Sequence, residues 1–285
     1  MRYIMFSKHL QEMDVPAAGK AIKSLGFDGV ELTVRPQGHV EPERVKEDLP
    51  RAVDALRDIG LDVPAIVTDV KGVDAPYAHD LCATAAQVGA TCLRNTAWPY
   101  RPIGHIKEDV AAAKKNARAL ETLGRDYGLR FCIHAHSGNT LTAMGGLFWH
   151  LVADTDPRYV AASFDLGHLT AEGGNGGWVQ SIDLFQDRVG ILAVKSFGWF
   201  SEPDAETGGT CWTPKLVPLQ DGAVQWKKAF QLLRQVGWDA DGKSLVSLHS
   251  EYQGRGSWRS LAVPELLLQT KEDFAFLQKQ AALGD

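Results

Sequence analysis

Apolar positions along this chain switch repeatedly between two periods. Short apolar runs, several with two-residue alternation, are each followed by a longer segment with apolar residues three and four apart. The first run, Arg2–Lys8, is short, aromatic and apolar and predicts a strand. Strands are also expected over Gly29–Arg35, Val63–Thr68, Thr91–Thr96, Arg130–His136, Val160–Leu166, Gly190–Phe197 and Ser244–Glu251. Helical spacing covers Val15–Leu25, Pro42–Ile59, Pro76–Val88, Ile106–Tyr127, Gly145–Val152, Trp178–Arg188, Gln225–Val236 and Pro264–Ala282. Asp14 with Pro16 just behind it reads as a helix start. Gly26, Gly60, Gly89, Gly128 and Gly237 read as left-handed helix ends just before strands.

Strict alternation implies parallel strands joined by crossover helices. Eight such units in 285 residues predict an α/β fold, a closed (β/α)8 TIM barrel, as one domain over residues 1–285. An open doubly wound sheet would use fewer units, and no GxGxxG follows the first strand. Two stretches fall outside the pattern and are expected to be long loops: glycine-rich Thr170–Gly177, and Gly198–Gly222 with Trp199, Trp212 and several prolines.

Charge narrows the partners. A net charge of −5 argues against a broad phosphate-backbone face, so no nucleic acid is expected. No run of about 18 apolar residues offers a membrane span, and the first residues lack the order of a signal peptide. Cys82, Cys92, Cys132 and Cys211 match neither a zinc spacing nor a disulfide framework. A soluble cytoplasmic protein is expected, and its exposed aromatic loops leave a homo-oligomer open.

A barrel of this type carries its site at the C-terminal ends of the strands. Reading those ends collects the chemistry. Strand two ends with Glu31, Thr33 and Arg35, and strand four carries Arg94 and Asn95. Strand five ends with His134 and His136, two residues apart and so on one face. Strand six gives Asp165 and then His168, strand seven Lys195, and strand eight His249 and Glu251. Imidazoles and carboxylates converging from different strands suit a divalent metal ion. Mn2+, Zn2+, Co2+ or Fe2+ fit such mixed donors better than Ca2+, and Mg2+ stays in the set. Asp165 and Glu251 with a strand-five histidine lead the ligands, and His249 and His168 stand in reserve. Lys195 has three readings: general acid, clamp on an oxyanion, or half of an ion pair with Asp165 or Glu251. Arg35 is read as a ligand for a carboxylate, phosphate or hydroxyl, or as solvated. Trp178, Trp199 and Trp212 are candidates to stack on a sugar-like ring or to pack as a lid. His39, His79 and His105 read as surface residues.

In combination, GFDGVEL at 26–32, HAHSG at 134–138, FDLGH at 164–168, Val194-Lys195 and HSEY at 249–252 resemble the xylose isomerase-like TIM-barrel superfamily. That superfamily holds sugar isomerases and epimerases, inosose dehydratase-type enzymes and endonuclease IV. The resemblance implies a metal held by Glu, Asp, His and Glu from strands five to eight. Asp165 and Glu251 match the second and fourth of these; His134 stands in place of the first Glu and Ala193 in place of the His. Compensating nitrogens from His136 or His249 complete an expected set of His134, Asp165, His249 and Glu251. The implied catalytic groups are Glu251, Lys195 and His136, with Glu31, Arg35, His168 and Asn95 on the substrate. The implied activity is metal-dependent isomerisation or epimerisation of a sugar, keto-sugar or polyol through an enediolate. The alternatives are a lyase or dehydratase acting on a keto-sugar or 3-keto-glycoside, and a non-catalytic sugar-binding barrel. A repair nuclease is disfavoured by the acidic balance. A small-molecule carbohydrate is the expected partner.

Overall fold

Eight parallel strands close into a barrel in the computed structural model, which describes residues 1–284. They are β1 (Arg2–Phe6), β2 (Gly29–Thr33), β3 (Asp62–Thr68), β4 (Cys92–Asn95), β5 (Arg130–His134), β6 (Val160–Asp165), β7 (Val189–Val194) and β10 (Leu245–Leu248). Around the barrel the order is β1-β10-β7-β6-β5-β4-β3-β2, so each strand pairs with its neighbour in the βα series and β10 closes on β1. Helices α1 (Val15–Ser24), α2 (Val45–Arg57), α3 (Ala78–Gln87), α4 (Ile106–Tyr127), α5 (Gly145–Val152), α6 (Leu166–Phe185), α7 (Trp226–Gln235) and α8 (Val263–Leu283) link the strands and follow the last one. The expected TIM barrel is therefore what forms.

Helix ends follow their sequence signals. Asp14 Oδ1 accepts the Ala17 amide at 2.8 Å and caps α1. Gly128, at φ 69°, ends α4 in the left-handed conformation that only glycine enters without strain. The other four predicted helix-ending glycines also have positive φ.

Both expected long loops are corrected. Gly198–Gly222 is mostly an antiparallel hairpin of β8 (Ser196–Pro203) and β9 (Thr210–Val217), pairing Trp199 with Pro214 and Ser201 with Trp212. Pro203 and Pro214 in the hairpin strands mask the alternation; Pro203 ends its strand at the tip, where the ladder needs no further donor. Thr170–Gly177 lies inside α6, which begins at Leu166 and kinks at Gly174 (φ 58°, ψ −163°). Its glycines suggested a loop, but the cap at Asp165 starts the helix early and only Gly174 leaves helical geometry.

Inward-facing residues recur at every second position and form layers. The floor is apolar and small: Ile4, Ala65, Cys92, Cys132, Ala161, Ile191 and Leu245 pack together. Two residues further along the same strands come Phe6, Val67, Arg94, His134, Ser163, Ala193 and Ser247, and beyond them Thr96, His136, Asp165, Lys195 and His249. The strand ladders stop two or three residues sooner than expected at β1, β2, β5, β7 and β10. Past the last ladder bond of β5, His136 still reaches the cavity, and Lys8 reaches it from the 3-10 turn Ser7–Leu10 that follows β1.

Candidate active site

A cavity of about 270 Å3 opens at the C-terminal mouth of the barrel, lined by Phe6, Lys8, Arg94, His134, Lys195 and Glu251 among others. That volume suits a ligand smaller than a typical drug, for which pockets start near ~300 Å3.

One corner is built by the Asp-Leu-Gly-His turn after β6. Asp165 Oδ1 accepts the His168 amide at 3.0 Å and caps α6. Gly167 is needed for close approach: a Cβ there would lie 2.6 Å from the Lys195 carbonyl oxygen. The turn thus folds His168 back beside Asp165 and against the β7–β8 joint. Asp165 Oδ2 is left buried without a hydrogen-bond partner, and so is His168 Nε2. His134 Nε2 lies 3.6 Å from Asp165 Oδ2, and His168 Nε2 lies 3.9 Å from it. Donor atoms of the three residues fall within 4.8 Å of one another, the spacing of groups able to share one ion. The outer nitrogens of both rings are held by serines: His134 Nδ1 sits 3.2 Å from Ser163 Oγ, and His168 Nδ1 sits 2.7 Å from Ser137 Oγ. When Nδ1–H donates to the hydroxyl, Nε2 keeps its lone pair for a metal. Burial, helped by nearby cations including Lys195, holds both rings well below the usual histidine range, so they are neutral. Two orphaned buried atoms and two oriented neutral imidazoles fit a divalent ion.

Lys195 lies on the one-residue joint between β7 and β8 and is almost fully buried. Its Nζ sits 3.1 Å from Glu251 Oε2 and 3.4 Å from Asp165 Oδ2. Burial alone would lower its pKa, but Glu251 and Asp165 outweigh that and raise it. Of the sequence readings for Lys195, the ion pair forms with both carboxylates at once. Burial would likewise raise Glu251, yet Lys195 and Lys8 hold it well below the usual carboxylate range. Glu251 Oε1 also lies 3.5 Å from Lys8 Nζ. Its side chain keeps 16 % exposure to the cavity.

His136 stands at the rim. Its Nδ1 donates to the Ser137 carbonyl at 2.8 Å, which leaves the Nε2 lone pair free in the neutral ring. Burial and Lys195 push its pKa down. Its ring lies 3.9 Å, centroid to centroid, from that of His168.

Beneath the cavity lies a second polar group. Glu31 is fully buried and takes Arg94 Nε at 2.5 Å on one oxygen. Its other oxygen takes Ser247 Oγ at 2.7 Å and His249 Nε2 at 3.2 Å. Burial would raise the Glu31 pKa, but Arg94 and His249 hold it down at about 2. Arg94 also lies over the Phe6 ring at 4.4 Å.

The expected site residues divide accordingly. His134, Asp165, Lys195, Glu251, His136 and Arg35 converge on the mouth. His168, held in reserve as a metal ligand and placed on the substrate by the resemblance, has its donor atom in one cluster with His134 and Asp165. His249, assigned to the metal, turns its Nε2 to Glu31, and Glu251 engages Lys195 and Lys8. Glu31 and Asn95 do not line the cavity: Glu31 has both oxygens engaged, and Asn95 donates to the Val70 carbonyl. Trp178 is fully buried in the core, while Trp199 and Trp212 are exposed on the hairpin. His39 is partly buried between Thr33 and Leu10, not on the surface. Lys8, Ser137 and Ser163 were missed as site residues. For Ser163 the signal is the two-residue step along β6; Lys8 lies on the 3-10 turn after β1, where that step does not apply.

The family model for the xylose isomerase-like TIM barrel matches residues 20–279. No curated relative is found by sequence comparison. Among solved structures, 3-keto-D-glucoside 4-epimerase YcjR from E. coli is similar over 98 % of this chain and 99 % of its own, at 15 % identity and TM-score 0.69. The probable 3-DHS dehydratase AsbF from Bacillus anthracis is similar over 96 % and 99 %, at 16 % identity and TM-score 0.69. The IolI protein with a bound zinc atom is similar over 99 % and 97 %, at 14 % identity and TM-score 0.70. At such identities the structural likeness is one of fold, and it is the family model, matched over most of the chain, that places it: this chain belongs to the xylose isomerase-like TIM-barrel family.

Proposed function

We propose that the chain is a metal-dependent isomerase or epimerase of a sugar, keto-sugar or polyol, working through an enediolate. The observation that carries this reading is the meeting of Glu251, Lys195 and the His134–Asp165–His168 donor cluster at one barrel mouth. Epimerases among the structural neighbours support it at the level of the family.

His134, Asp165 and His168 would hold the ion. Bound there, the ion would supply Lewis-acid polarisation of a substrate carbonyl and so acidify the adjacent C–H. The chain's own groups carry the proton. Glu251 is ionised, faces the cavity and is the base placed to remove it. Lys195 stays charged and sits where its ammonium can stabilise the oxyanion that forms. His136, neutral with Nε2 free, is the second group able to return the proton. Phe6 and the buried Arg94, stacked at 4.4 Å, line the cavity.

A lyase or dehydratase is the second reading. It is favoured by the unlike nature of the two proton carriers: an ionised carboxylate and a neutral imidazole suit removal of one proton and delivery of another to a leaving group.

The test is an NMR screen in D2O of ketoses and 3-keto-glycosides, with enzyme loaded in turn with Mn2+, Zn2+, Co2+ and Mg2+. Deuterium exchange with epimer or isomer formation is the expected outcome. Release of an aglycone or of water moves the assignment to a lyase. No exchange on any substrate sinks both.

A further inference from the structure

Charges around the mouth do not balance. Lys8, Arg35, Arg94 and Lys195 all line the one cavity, and Glu251 is the only carboxylate among its lining residues. Three carboxylates in and behind the lining have evident partners: Glu31 takes Arg94, Asp165 takes Lys195, and Glu251 takes both Lys195 and Lys8. Against those three anions stand four cations, and the one left over is Arg35, whose side chain has no hydrogen bond or ion pair among the described residues. Protonation of any histidine, or binding of a metal ion, would only add to the positive excess. In a chain of net charge −5 this concentration of cations is local. A concave, partly desolvated mouth strengthens its field.

Topology adds direction. Arg35 follows β2 and Lys8 follows β1, adjacent strands of the barrel. In the strand order β2 stands opposite β6, which carries Asp165. The unpaired guanidinium thus faces the reactive cluster across the mouth, with Glu251, which follows β10, between them in the order. A small molecule spanning the cavity would place one end at Arg35 and the other at Lys195 and Asp165.

We infer that the substrate carries an oxyanion group, a carboxylate or a phosphate, and that Arg35, with Lys8 beside it, is the subsite that receives it. The substrate class is then an acidic sugar derivative: a keto-acid or uronate if the anion is a carboxylate, a sugar phosphate if it is a phosphate. Guanidinium suits either, since its forked donors meet both groups in bidentate fashion. The inference rests on reading this cavity as the substrate site, but its test does not require turnover.

The experiment is calorimetric titration of the metal-loaded chain 1–285 with inorganic phosphate and, separately, with malonate, comparing wild type with Arg35→Met and Arg35→Lys. At least one anion is expected to bind wild type, about 10–100-fold more weakly to Arg35→Met, with partial recovery in Arg35→Lys. Stronger binding of phosphate points to a sugar phosphate, and stronger binding of malonate to a sugar acid. Equal affinity in wild type and Arg35→Met overturns the inference, because the anion then sits on the metal or elsewhere. Failure of both anions to bind wild type also overturns it. Anion binding lost in Arg35→Met, in a protein that exchanges no substrate proton in D2O, would sustain this subsite while removing the isomerase reading.

Discussion

Lys195 Nζ lies 3.1 Å from Glu251 Oε2 and 3.4 Å from Asp165 Oδ2, so one buried ammonium joins the proposed base to the proposed metal cluster. Replacing it uncouples them. Lys195→Met is expected to lower kcat by about 10^2–10^3-fold, the scale of losing a preorganised charge stabiliser. The Glu251 carboxyl, no longer held down by that cation, should rise. Activity that needs ionised Glu251 would then fall off at a higher pH on the acid side. Steady-state pH profiles of the two proteins, with circular dichroism to confirm folding, check this.

The donor cluster predicts metal content. Asp165→Asn and His168→Ala should each lose most of a bound divalent ion on gel filtration, as measured by elemental analysis. Ser137→Ala is a subtler case. Its hydroxyl holds His168 Nδ1 and its carbonyl holds His136 Nδ1. The alanine keeps the carbonyl and loses the hydroxyl, so metal affinity should drop about 10-fold or more, while the His136 contact survives. Metal retained equally by all three variants would place the ion elsewhere.

Much of this was legible along the chain, for physical reasons. Barrel strands alternate inward and outward, so Cys132, His134 and His136, or Ser247, His249 and Glu251, announce one face each. The helix-ending glycines marked the units. What stayed hidden depends on which partner a side chain meets across the barrel. Glu31 and Arg94 lie 63 residues apart and pair in the interior, which turns His249 inward to Glu31. His168 follows a glycine turn, which leaves its direction open in the sequence. Only the Asp165 cap and the close packing of Gly167 on Lys195 settle it. The hairpin was hidden by its prolines.

The Glu31–Arg94 pair makes a stability prediction. Glu31→Gln keeps the shape but strands the Arg94 charge, at a cost of about 3–5 kcal/mol. The pH dependence has a definite sign. Glu31 is depressed to about 2 in the fold from an ordinary 4.5, so its contribution is present above about pH 4.5 and is lost as pH falls toward 2. Urea unfolding of wild type and variant at pH 4 and pH 7 should give a smaller difference at the lower pH.

Asp273 on α8 predicts the opposite sign. It is buried, accepts the Tyr252 hydroxyl and the Leu219 amide, and burial lifts its pKa to about 6 from 3.8. The protonated form is favoured in the fold, so its contribution is full below about pH 4 and lost as pH rises through about 6. Asp273→Asn stays neutral throughout. Its stability relative to wild type should therefore rise between pH 4 and pH 7, by up to about 3 kcal/mol. Tyr252 keeps the Val217 carbonyl as an acceptor in the variant. A relative stability that falls over this range would contradict the assignment.

The central claim is that Glu251 removes a carbon-bound proton next to a carbonyl held at this mouth. It is tested most directly by deuterium wash-in from D2O, on the substrate that wild type exchanges, in wild type and Glu251→Gln at matched metal content. The account predicts that wash-in falls by about 10^2–10^4-fold in the variant, with the substrate dissociation constant changed far less. Wash-in at the wild-type rate in Glu251→Gln would contradict it.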